Sequence, residues 1–231
     1  MRRDGRKEDS LRPVMIEPEF TRTSGGSVLI RWGGTSVLCT ALLESGTAPF
    51  LKDTGKGWLT AEYGMLPSST VGRKRRGTDG RATEIQRLIG RSLREAVDLT
   101  KIGDATVYLD CDVLQADGGT RCASITGGMV ALEDAVHKLL ADGVLAENPI
   151  VHRVAAVSVG VCDGKPTLDL DYAHDSTADV DLNVVMTEDG RFVEIQGTAE
   201  HEPFGGEALE ALLALARKGL KKIFALQKKA R

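Results

Sequence analysis

The 231-residue chain contains no apolar run approaching the roughly 18 residues that a membrane-spanning helix needs. This absence argues against a transmembrane protein, so no membrane partner is expected. The N-terminal residues 1–9 are charged, and no apolar stretch follows them, so they do not fit a secretory signal. We therefore expect a cytoplasmic protein.

Cysteine is scarce, and the chain contains no Cys-x-x-Cys pair among Cys39, Cys111, Cys122 and Cys162. The spacing argues against a structural zinc site, and a disulfide framework is not expected in a chain of this length. Cys122 directly follows Arg121, but no histidine is placed to act as the base for a catalytic thiol. Three of the four lie in apolar runs and are predicted to be small buried side chains.

Basic residues are not in excess, since the formal net charge is −3, and aromatic residues make up only 4% of the chain. A protein coated in basic surface is thereby excluded, although nucleic-acid binding depends on where charge is concentrated. The charge is indeed uneven: residues 73–76 form a dense basic cluster, and five aspartates lie between Asp169 and Asp181. The aromatic candidates for stacking on nucleic-acid bases are Phe20, Phe50 and Trp58.

Strand-like runs come in groups, and helical runs follow them. Gly33-Gly34 between residues 27–32 and 35–43 predicts a hairpin, and Asp189-Gly190 predicts another that leads into residues 192–196. Further strands are predicted over residues 59–65, 105–113, 154–161, 166–170, 179–186 and 192–196. Helices are predicted from Thr83, over 124–140 and over 207–229, the first with a capping box of Thr83 and Gln86. This order favours an α+β fold of mixed sheets packed with helices, forming a single domain over residues 1–231.

The segment from Asp117 to Arg121 (DGGTR) lies between a predicted strand and a predicted helix. Two glycines there let the backbone turn tightly and bring bare N–H groups close to a ligand. The helix start adds unpaired donors and positive potential, and Arg121 adds a planar fork that suits phosphate oxygens. The segment therefore predicts an anion site, with a simple Gly-Gly turn and a solvated arginine as the alternative.

A carboxylate cluster is predicted around the strand at residues 179–186. This strand alternates, with Asp179, Asp181 and Asn183 on one face and Val180, Leu182 and Val184 on the other. Asp175, Asp179 and Asp181 would repel one another unless they were solvated, protonated or joined by a cation. Oxygen ligands of this kind favour Mg²⁺ or Mn²⁺, held through one or two carboxylates and a substrate phosphate. The alternative is a charged strand edge that blocks aggregation.

An anion site and a carboxylate cluster together suggest phosphoryl-transfer chemistry. If inorganic phosphate is the nucleophile, Arg81, Arg121, the glycine-loop N–H groups and a divalent ion would offset its repulsion by a phosphodiester. An aspartate would then protonate the departing 3′-oxygen. Metal-dependent hydrolysis, with water in place of phosphate, is the competing chemistry.

At these positions the chain resembles the ribonuclease PH family, bacterial phosphate-dependent 3′-exoribonucleases that trim transfer-RNA precursors. The resemblance covers nearly the whole chain. Its matched segments are residues 3–6 (RDGR), 11–13 (LRP), 57–67 (GWLTAEYGMLP), 84–94 (EIQRLIGRSLR), 112–121 (DVLQADGGTR), 175–176 (DS), 181–186 (DLNVVM) and 194–200 (EIQGTAE).

The resemblance implies a fold like the second domain of ribosomal protein S5 and a homohexamer built as a trimer of dimers. It implies trimming of tRNA precursors, and of rRNA as a further substrate, with inorganic phosphate as co-substrate and nucleoside diphosphates as products. RNA, and not DNA, is the implied partner. By position, the implied phosphate-binding residues are Arg81, Gly119, Thr120 and Arg121, and the implied catalytic and metal-binding residues are Asp175 and Asp181.

The basic cluster matches a region that the family uses for RNA entry and subunit contacts, which makes Arg73, Arg75 and Arg76 RNA-binding candidates. A solvated basic loop is the alternative. Two positions depart from the family pattern: Ser68 stands where many relatives have arginine, in a short loop, and His174 replaces a common acidic residue. The runner-up function is a catalytically silent, exosome-like ring subunit that binds RNA.

Overall fold

The computed structural model describes residues 5–77 and 79–231, so Arg3 and Asp4 of the first matched segment lie outside the described residues. A first sheet of five strands has the spatial order β1-β2-β3-β5-β4. Only the β4–β5 pair in it is parallel. The strands are β1 (Val14–Pro18), β2 (Gly26–Trp32), β3 (Thr35–Ser45), β4 (Trp58–Met65) and β5 (Ala105–Gln115).

The second sheet has four strands in the order β7-β6-β8-β9, and all its pairs are antiparallel. They are β6 (Val154–Cys162), β7 (Lys165–Leu168), β8 (Val180–Thr187) and β9 (Phe192–Ala199). The helices are α1 (Gly80–Arg94), α2 (Thr120–Ala141), α3 (Tyr172–Asp175) and α4 (Gly206–Lys229), with short 3₁₀ turns at Pro49–Leu51 and Leu99–Lys101.

Helix α2 is the centre of the molecule, because it packs against β2 and β3 of the first sheet and against β6 of the second. Ile125, Met129 and Leu132 of this helix are at most 1% exposed. Each such side chain contributes about 1.5–3 kcal/mol through removal from water. One hydrophobic core includes residues of both sheets, so the N-terminus of α2 is held at a fixed place between them.

The mixed α+β architecture predicted from the sequence is confirmed. The hairpins around Gly33-Gly34 and Asp189-Gly190 form as expected, between β2 and β3 and between β8 and β9. Within the described residues, no helix is both long and apolar enough to span a membrane.

One local prediction is wrong, and one strand was not predicted. Helix α1 begins at Gly80 and not near Thr83, because the carboxylate of Asp79 caps it by accepting a hydrogen bond from the Ala82 N–H at 2.7 Å. Strand β1 follows the polar N-terminal arm and was not predicted, because its five residues include a glutamate and a proline. Pairing with β2 along its whole length stabilises it.

Candidate active site

A cleft of about 500 Å³ lies where the ends of α1, α2, α3 and β8 meet. It is lined by both predicted groups of charged residues, the arginines from α1 and α2 and the aspartates from α3 and β8. The lining also includes the glycine turn and part of the loop after β4. The residues used below are Lys74, Arg81, Gly118, Gly119, Thr120, Arg121, Tyr172, Asp175, Asp181 and Asn183.

The glycine turn presents backbone donors to this cleft. Gly118 and Gly119 have φ angles of +72° and +70°, a conformation that side-chain-bearing residues rarely adopt. Gly119 is the N-cap of α2, whose first N–H groups have no intrahelical acceptor. Within residues 5–77 and 79–231, no acceptor is bonded to the N–H groups of Gly118, Gly119 and Thr120. Such a run of free donors at a helix N-terminus suits an anion.

Thr120 adds a hydroxyl donor to the same place. Its Oγ1 accepts a hydrogen bond from the Tyr63 hydroxyl at 2.9 Å. Burial raises the pKa of Tyr63, although its hydrogen bond to Thr120 opposes the shift, so the tyrosine keeps its proton. Because the threonine oxygen already accepts this proton, its own O–H is free to donate towards the cleft.

Two arginines supply positive charge. Arg121, in the first turn of α2, donates from Nη2 to Glu84 Oε2 at 2.8 Å, and its Nε has no partner among the described residues. Arg81, in the first turn of α1, also lines the cleft. Partial burial acts to raise the pKa of Glu84, but hydrogen bonds from Gln196 and Arg121 outweigh it and hold that pKa below its usual value. Glu84 is therefore ionised at neutral pH and anchors Arg121.

The ionised forms of the two carboxylates in the cleft are destabilised by burial. Burial, and secondly the charge of the neighbouring Asp175, raise the pKa of Asp181 to about 6. Burial also raises the pKa of Asp175, while Arg81 and Arg121 act in the opposite direction. Oδ1 of Asp181 is buried and has no hydrogen-bond partner within the described part of the chain. An unsatisfied buried carboxylate oxygen is a site for a proton or a cation.

The carboxylates also fit the divalent ion predicted from the sequence, although alone they do not enclose one. In the part of the chain that the structure describes, no group of three or more His, Cys, Asp or Glu side chains is arranged to hold a metal. Mg²⁺ is commonly held by one or two carboxylates, water and substrate phosphate oxygens. Asp175 and Asp181, with the unpartnered oxygen of Asp181, match such a partial ligand set.

Asp181 and Asp175 reach the cleft in different ways. Asp181 lies on β8, which is paired on both sides by β6 and β9, so the alternative of a charged strand edge is wrong. Asp175 ends the short helix α3, which Asp171 caps by accepting from the His174 N–H at 3.0 Å. The His174 ring lies 2.7 Å from the same carboxylate. His174, which departs from the family pattern, therefore stabilises the helix that carries Asp175. Asp179 does not line the cleft.

The basic cluster divides between two surfaces. The predicted RNA-binding residues Arg73, Arg75 and Arg76 are exposed and do not line the cleft, whereas the half-buried Lys74 does. Arg76 instead lines a neighbouring depression that contains Asp110 and Asp112. The three named arginines are therefore exposed outside the lining of the cleft.

The predicted aromatic candidates do not line the cleft either. Phe50 packs edge-to-face on Trp58 with ring centroids 5.2 Å apart, and Arg94 covers Trp58 at 4.5 Å. The aromatic side chain at the cleft is Tyr172, which is 67% exposed. Nothing in the spacing of the sequence distinguishes this tyrosine from the others.

Asn183 is a further cleft residue that the site prediction left out. It shares a face of β8 with Asp181, and this alternation was visible in the sequence. Its Oδ1 accepts from the Cys122 thiol at 3.3 Å, which leaves the amide N–H₂ free to donate. Burial raises the pKa of Cys122 well above its usual value, with Asp181 adding to the effect, so this thiol is no nucleophile at neutral pH.

Comparison with protein families gives two matches along the chain. Residues 10–137 match domain 1 of the 3′ exoribonuclease family, and residues 152–219 match domain 2 of the same family. The first match includes the glycine turn and both arginines of the cleft. The second includes both carboxylates.

Two solved structures illustrate the fold. Rice (Oryza sativa) Rrp46 is 19% identical, with 100% of this chain and 98% of that chain covered and a TM-score of 0.81. The Archaeoglobus fulgidus exosome, solved with RNA bound to its active site, contains a chain that is 22% identical, with 100% and 92% covered and a TM-score of 0.85. At these identities the likeness shows the fold alone, and it agrees with the mixed-sheet architecture described above.

Proposed function

Because this chain belongs to the 3′ exoribonuclease family, we propose that it is a phosphorolytic 3′-to-5′ exoribonuclease of the ribonuclease PH type. It transfers the terminal nucleotide of an RNA strand to inorganic phosphate and releases a nucleoside diphosphate. Its substrates are the 3′ ends of tRNA precursors, with rRNA as a further substrate. The observation that carries the proposal is that a donor-rich anion site and two carboxylates with raised pKa values line one cleft.

The anion site is suited to an inorganic phosphate that acts as nucleophile. The N–H groups of Gly118, Gly119 and Thr120 and the guanidinium groups of Arg81 and Arg121 would bind its oxygens. One phosphate oxygen attacks the phosphorus of the last phosphodiester, and the bond from that phosphorus to the preceding 3′-oxygen breaks. The departing 3′-oxygen takes a proton, which an aspartate of the cleft would donate. The products are a nucleoside 5′-diphosphate and an RNA shortened by one nucleotide.

The positive groups are needed because two anions must meet. At about 4 Å and an effective dielectric near 20, each pair of unit charges repels by about 4 kcal/mol. The two arginines and the dipole of α2 are placed to offset a repulsion of this size. Arg121 retains an unpartnered Nε for this purpose, even though Glu84 engages its Nη2.

We assign Mg²⁺ or Mn²⁺ to Asp175 and Asp181. When bound, the ion would neutralise charge that develops on the phosphoryl oxygens. Its presence would also relieve the repulsion that raises the pKa of Asp181. The carboxylates themselves fix where the terminal phosphodiester lies relative to the anion site.

RNA enters past the basic cluster in this proposal, and the protein assembles as a homohexamer, a trimer of dimers. The exposed Arg73, Arg75 and Arg76 beside the cleft supply the charge for a sequence-independent grip on the RNA backbone. In a ring, six copies of this cluster would add their weak contacts by multivalency. Native mass spectrometry of the purified protein tests the assembly.

The decisive experiment supplies a 3′-extended tRNA with and without phosphate and identifies the products. Phosphorolysis yields nucleoside diphosphates only when phosphate is present. Nucleoside monophosphates formed without phosphate would show hydrolysis and overturn the proposal.

A catalytically silent RNA-binding ring subunit is the second candidate, because a chain of the same fold occurs in the Archaeoglobus fulgidus exosome. RNA binding without any nucleotide product in the same assay would establish it. The presence of Arg81, Arg121, Asp175 and Asp181 together in the cleft favours the active enzyme.

A further inference from the structure

The Gly118-Gly119 turn has the residues that are most able to change the direction of their peptide groups. Both glycines have positive φ angles and no side chain to restrict them. If either peptide rotated, a carbonyl oxygen would face the bound anion in place of an N–H group. The anion site therefore requires a contact that holds these peptides in one orientation.

Arg12 and Thr35, neither of which lines the cleft, make that contact. Arg12 Nη1 donates to the carbonyl oxygen of Asp117, and Nη2 donates to that of Gly118 at 3.4 Å. The Thr35 hydroxyl donates to the Gly118 oxygen at 2.7 Å and accepts from the Asp117 N–H at 2.9 Å. In a trans peptide the C=O and N–H point in opposite directions. Holding these two carbonyls therefore directs the N–H groups of Gly118 and Gly119 away from Arg12.

Arg12 is itself fixed by a buried ion pair. Its Nη2 lies 2.7 Å from Asp169 Oδ1, and its backbone N–H donates to Asp169 Oδ2 at 2.6 Å. Arg12 is 6% exposed and Asp169 is 1% exposed. Asp169, which Arg6 also contacts at 3.2 Å, thus holds the guanidinium of Arg12 in place, and we assign Arg12 an orienting role at the cleft.

The packing around Arg12 leaves it little room to move. A Cβ atom at Gly33 would lie 2.4 Å from Arg12 Cδ, and one at Gly119 would lie 2.9 Å from Arg12 Nη2. The arginine is thus enclosed between the β2–β3 hairpin and the glycine turn. Gly33 and Gly119 therefore both border this one arginine.

We propose that Arg12 and Thr35 form a peptide clamp, a pair of positioning residues that hold the N–H groups of Gly118 and Gly119 towards the bound phosphate. This inference rests on the proposed function in that it takes inorganic phosphate as the ligand of the turn. The clamp touches neither phosphate nor RNA.

Thr35→Val removes the hydroxyl with little change of shape, and Thr35→Ser is its matched control because it keeps the hydroxyl. Loss of one hydrogen bond of this kind corresponds to about a tenfold change in affinity. We expect Thr35→Val to raise the KM for phosphate and the calorimetric Kd for inorganic phosphate about tenfold. The KM for RNA should stay constant, and Thr35→Ser should restore the phosphate values. Unchanged phosphate values in a folded Thr35→Val protein would overturn the clamp.

A second variant and a measurement on the wild-type protein allow the proposal to be tested even if Thr35→Val does not fold. Arg12→Lys keeps the charge beside Asp169, but a single ammonium cannot serve the carboxylate and both carbonyls together. It should weaken phosphate binding at least as much as Thr35→Val. In the wild-type protein labelled with ¹⁵N-glycine, inorganic phosphate should shift the amide signals of Gly118 and Gly119. Unmoved glycine signals under saturating phosphate would sink the proposal even if both variants failed to fold.

These measurements separate the clamp from the proposed function. Calorimetry and ¹⁵N shifts report phosphate binding without turnover. If phosphate binds, the variants weaken it and no nucleoside diphosphate forms, the exoribonuclease proposal fails and the clamp stands. If diphosphates form with an unchanged phosphate KM in Thr35→Val, the clamp fails and the exoribonuclease proposal stands.

Discussion

Glu84 on α1 holds Arg121 on α2 through a single hydrogen bond of 2.8 Å, from Nη2 to Oε2. The other carboxylate oxygen of Glu84 accepts from Gln196 Nε2 of β9 at 3.1 Å. Three elements are thereby joined at the edge of the cleft. The arrangement orients the guanidinium, but it also places a negative charge close to the anion site.

The negative charge of Glu84 should affect phosphate binding more than its hydrogen bond to Arg121 does. A partly exposed ion pair contributes about 0.2–1 kcal/mol, whereas two unit negative charges about 7 Å apart repel each other by about 2 kcal/mol at an effective dielectric near 20. We therefore expect Glu84→Gln to lower the Kd for inorganic phosphate about threefold to fivefold, measured by calorimetry. Glu95→Gln, an exposed change at the end of the same helix, should leave it unchanged. Weaker phosphate binding in Glu84→Gln would show that orientation dominates.

Arg121→Ala removes a charge-assisted donor from the anion site. Loss of a donor of this type costs about a hundredfold in the kcat/KM for phosphate. We expect phosphate-dependent release of nucleoside diphosphates to fall by that factor, while the thermal unfolding midpoint changes little. Arg87→Ala on the exposed side of α1 is the control. Equal activity in the Arg121→Ala and parent proteins would remove this arginine from the site.

Asp181→Asn keeps the shape of the side chain but abolishes its charge and its ability to exchange a proton. We expect kcat to fall about a hundredfold or more, because a carboxylate that acts in acid–base catalysis contributes a factor of about 10²–10⁴. The Kd for RNA should change by no more than about threefold. The two quantities are measured by product formation and by filter binding, and matched losses in both would argue against a catalytic role.

The same substitution should alter stability in a pH-dependent way. The pKa of Asp181 is raised to about 6, so the folded protein binds this proton more tightly than the unfolded chain does. The associated stability is present at low pH and is lost as the pH rises through about 6. The ionised carboxylate thus costs on the order of 3 kcal/mol at pH 8. With chelator and without phosphate, Asp181→Asn should unfold at a higher temperature than the parent protein at pH 8 and at a similar temperature at pH 4.5. Equal differences at both pH values would contradict this.

Neutralising the exposed arginines should weaken RNA binding without affecting phosphate. For Arg73, Arg75 and Arg76 changed together to Ala, we expect lower RNA affinity and a shallower dependence of log K on log salt. The KM for phosphate should be unchanged, since none of the three lines the cleft. Lys74 lines the cleft, so Lys74→Ala, unlike the triple variant, should affect the cleft itself. An unchanged salt slope in the triple variant would leave the cluster as a solvated loop.

Much of the fold was readable from local patterns. The alternation along β8 placed Val180, Leu182 and Val184 in the core and Asp181 on the other face, because strand side chains alternate and burial selects the apolar set. The start of α1 was not readable. Asp79 and Thr83 both fit an N-cap, and the choice depended on where the preceding loop directs the chain.

The candidate site was predicted only in part, since short motifs showed its arginines and aspartates but not their neighbours. Tyr63, Asn183 and Glu84 enter the cleft or support it through contacts with residues 37 to 61 positions away along the chain. The clamp depends on still longer separations, with Arg12 105 positions from Asp117 and 157 from Asp169.

The sequence by itself determined the chemical groups: a glycine turn before a helix, two arginines suited to anions, and acidic residues on one face of a strand. These follow from local rules of backbone freedom and periodicity. Only the tertiary structure decided that these groups share one cleft, that Asp181 is buried enough to shift its pKa, and that Arg12 controls the direction of the Gly118 and Gly119 N–H groups. Charge, burial and peptide orientation depend on what lies nearby in space, and in this chain those neighbours come from distant segments brought together by α2 between two sheets.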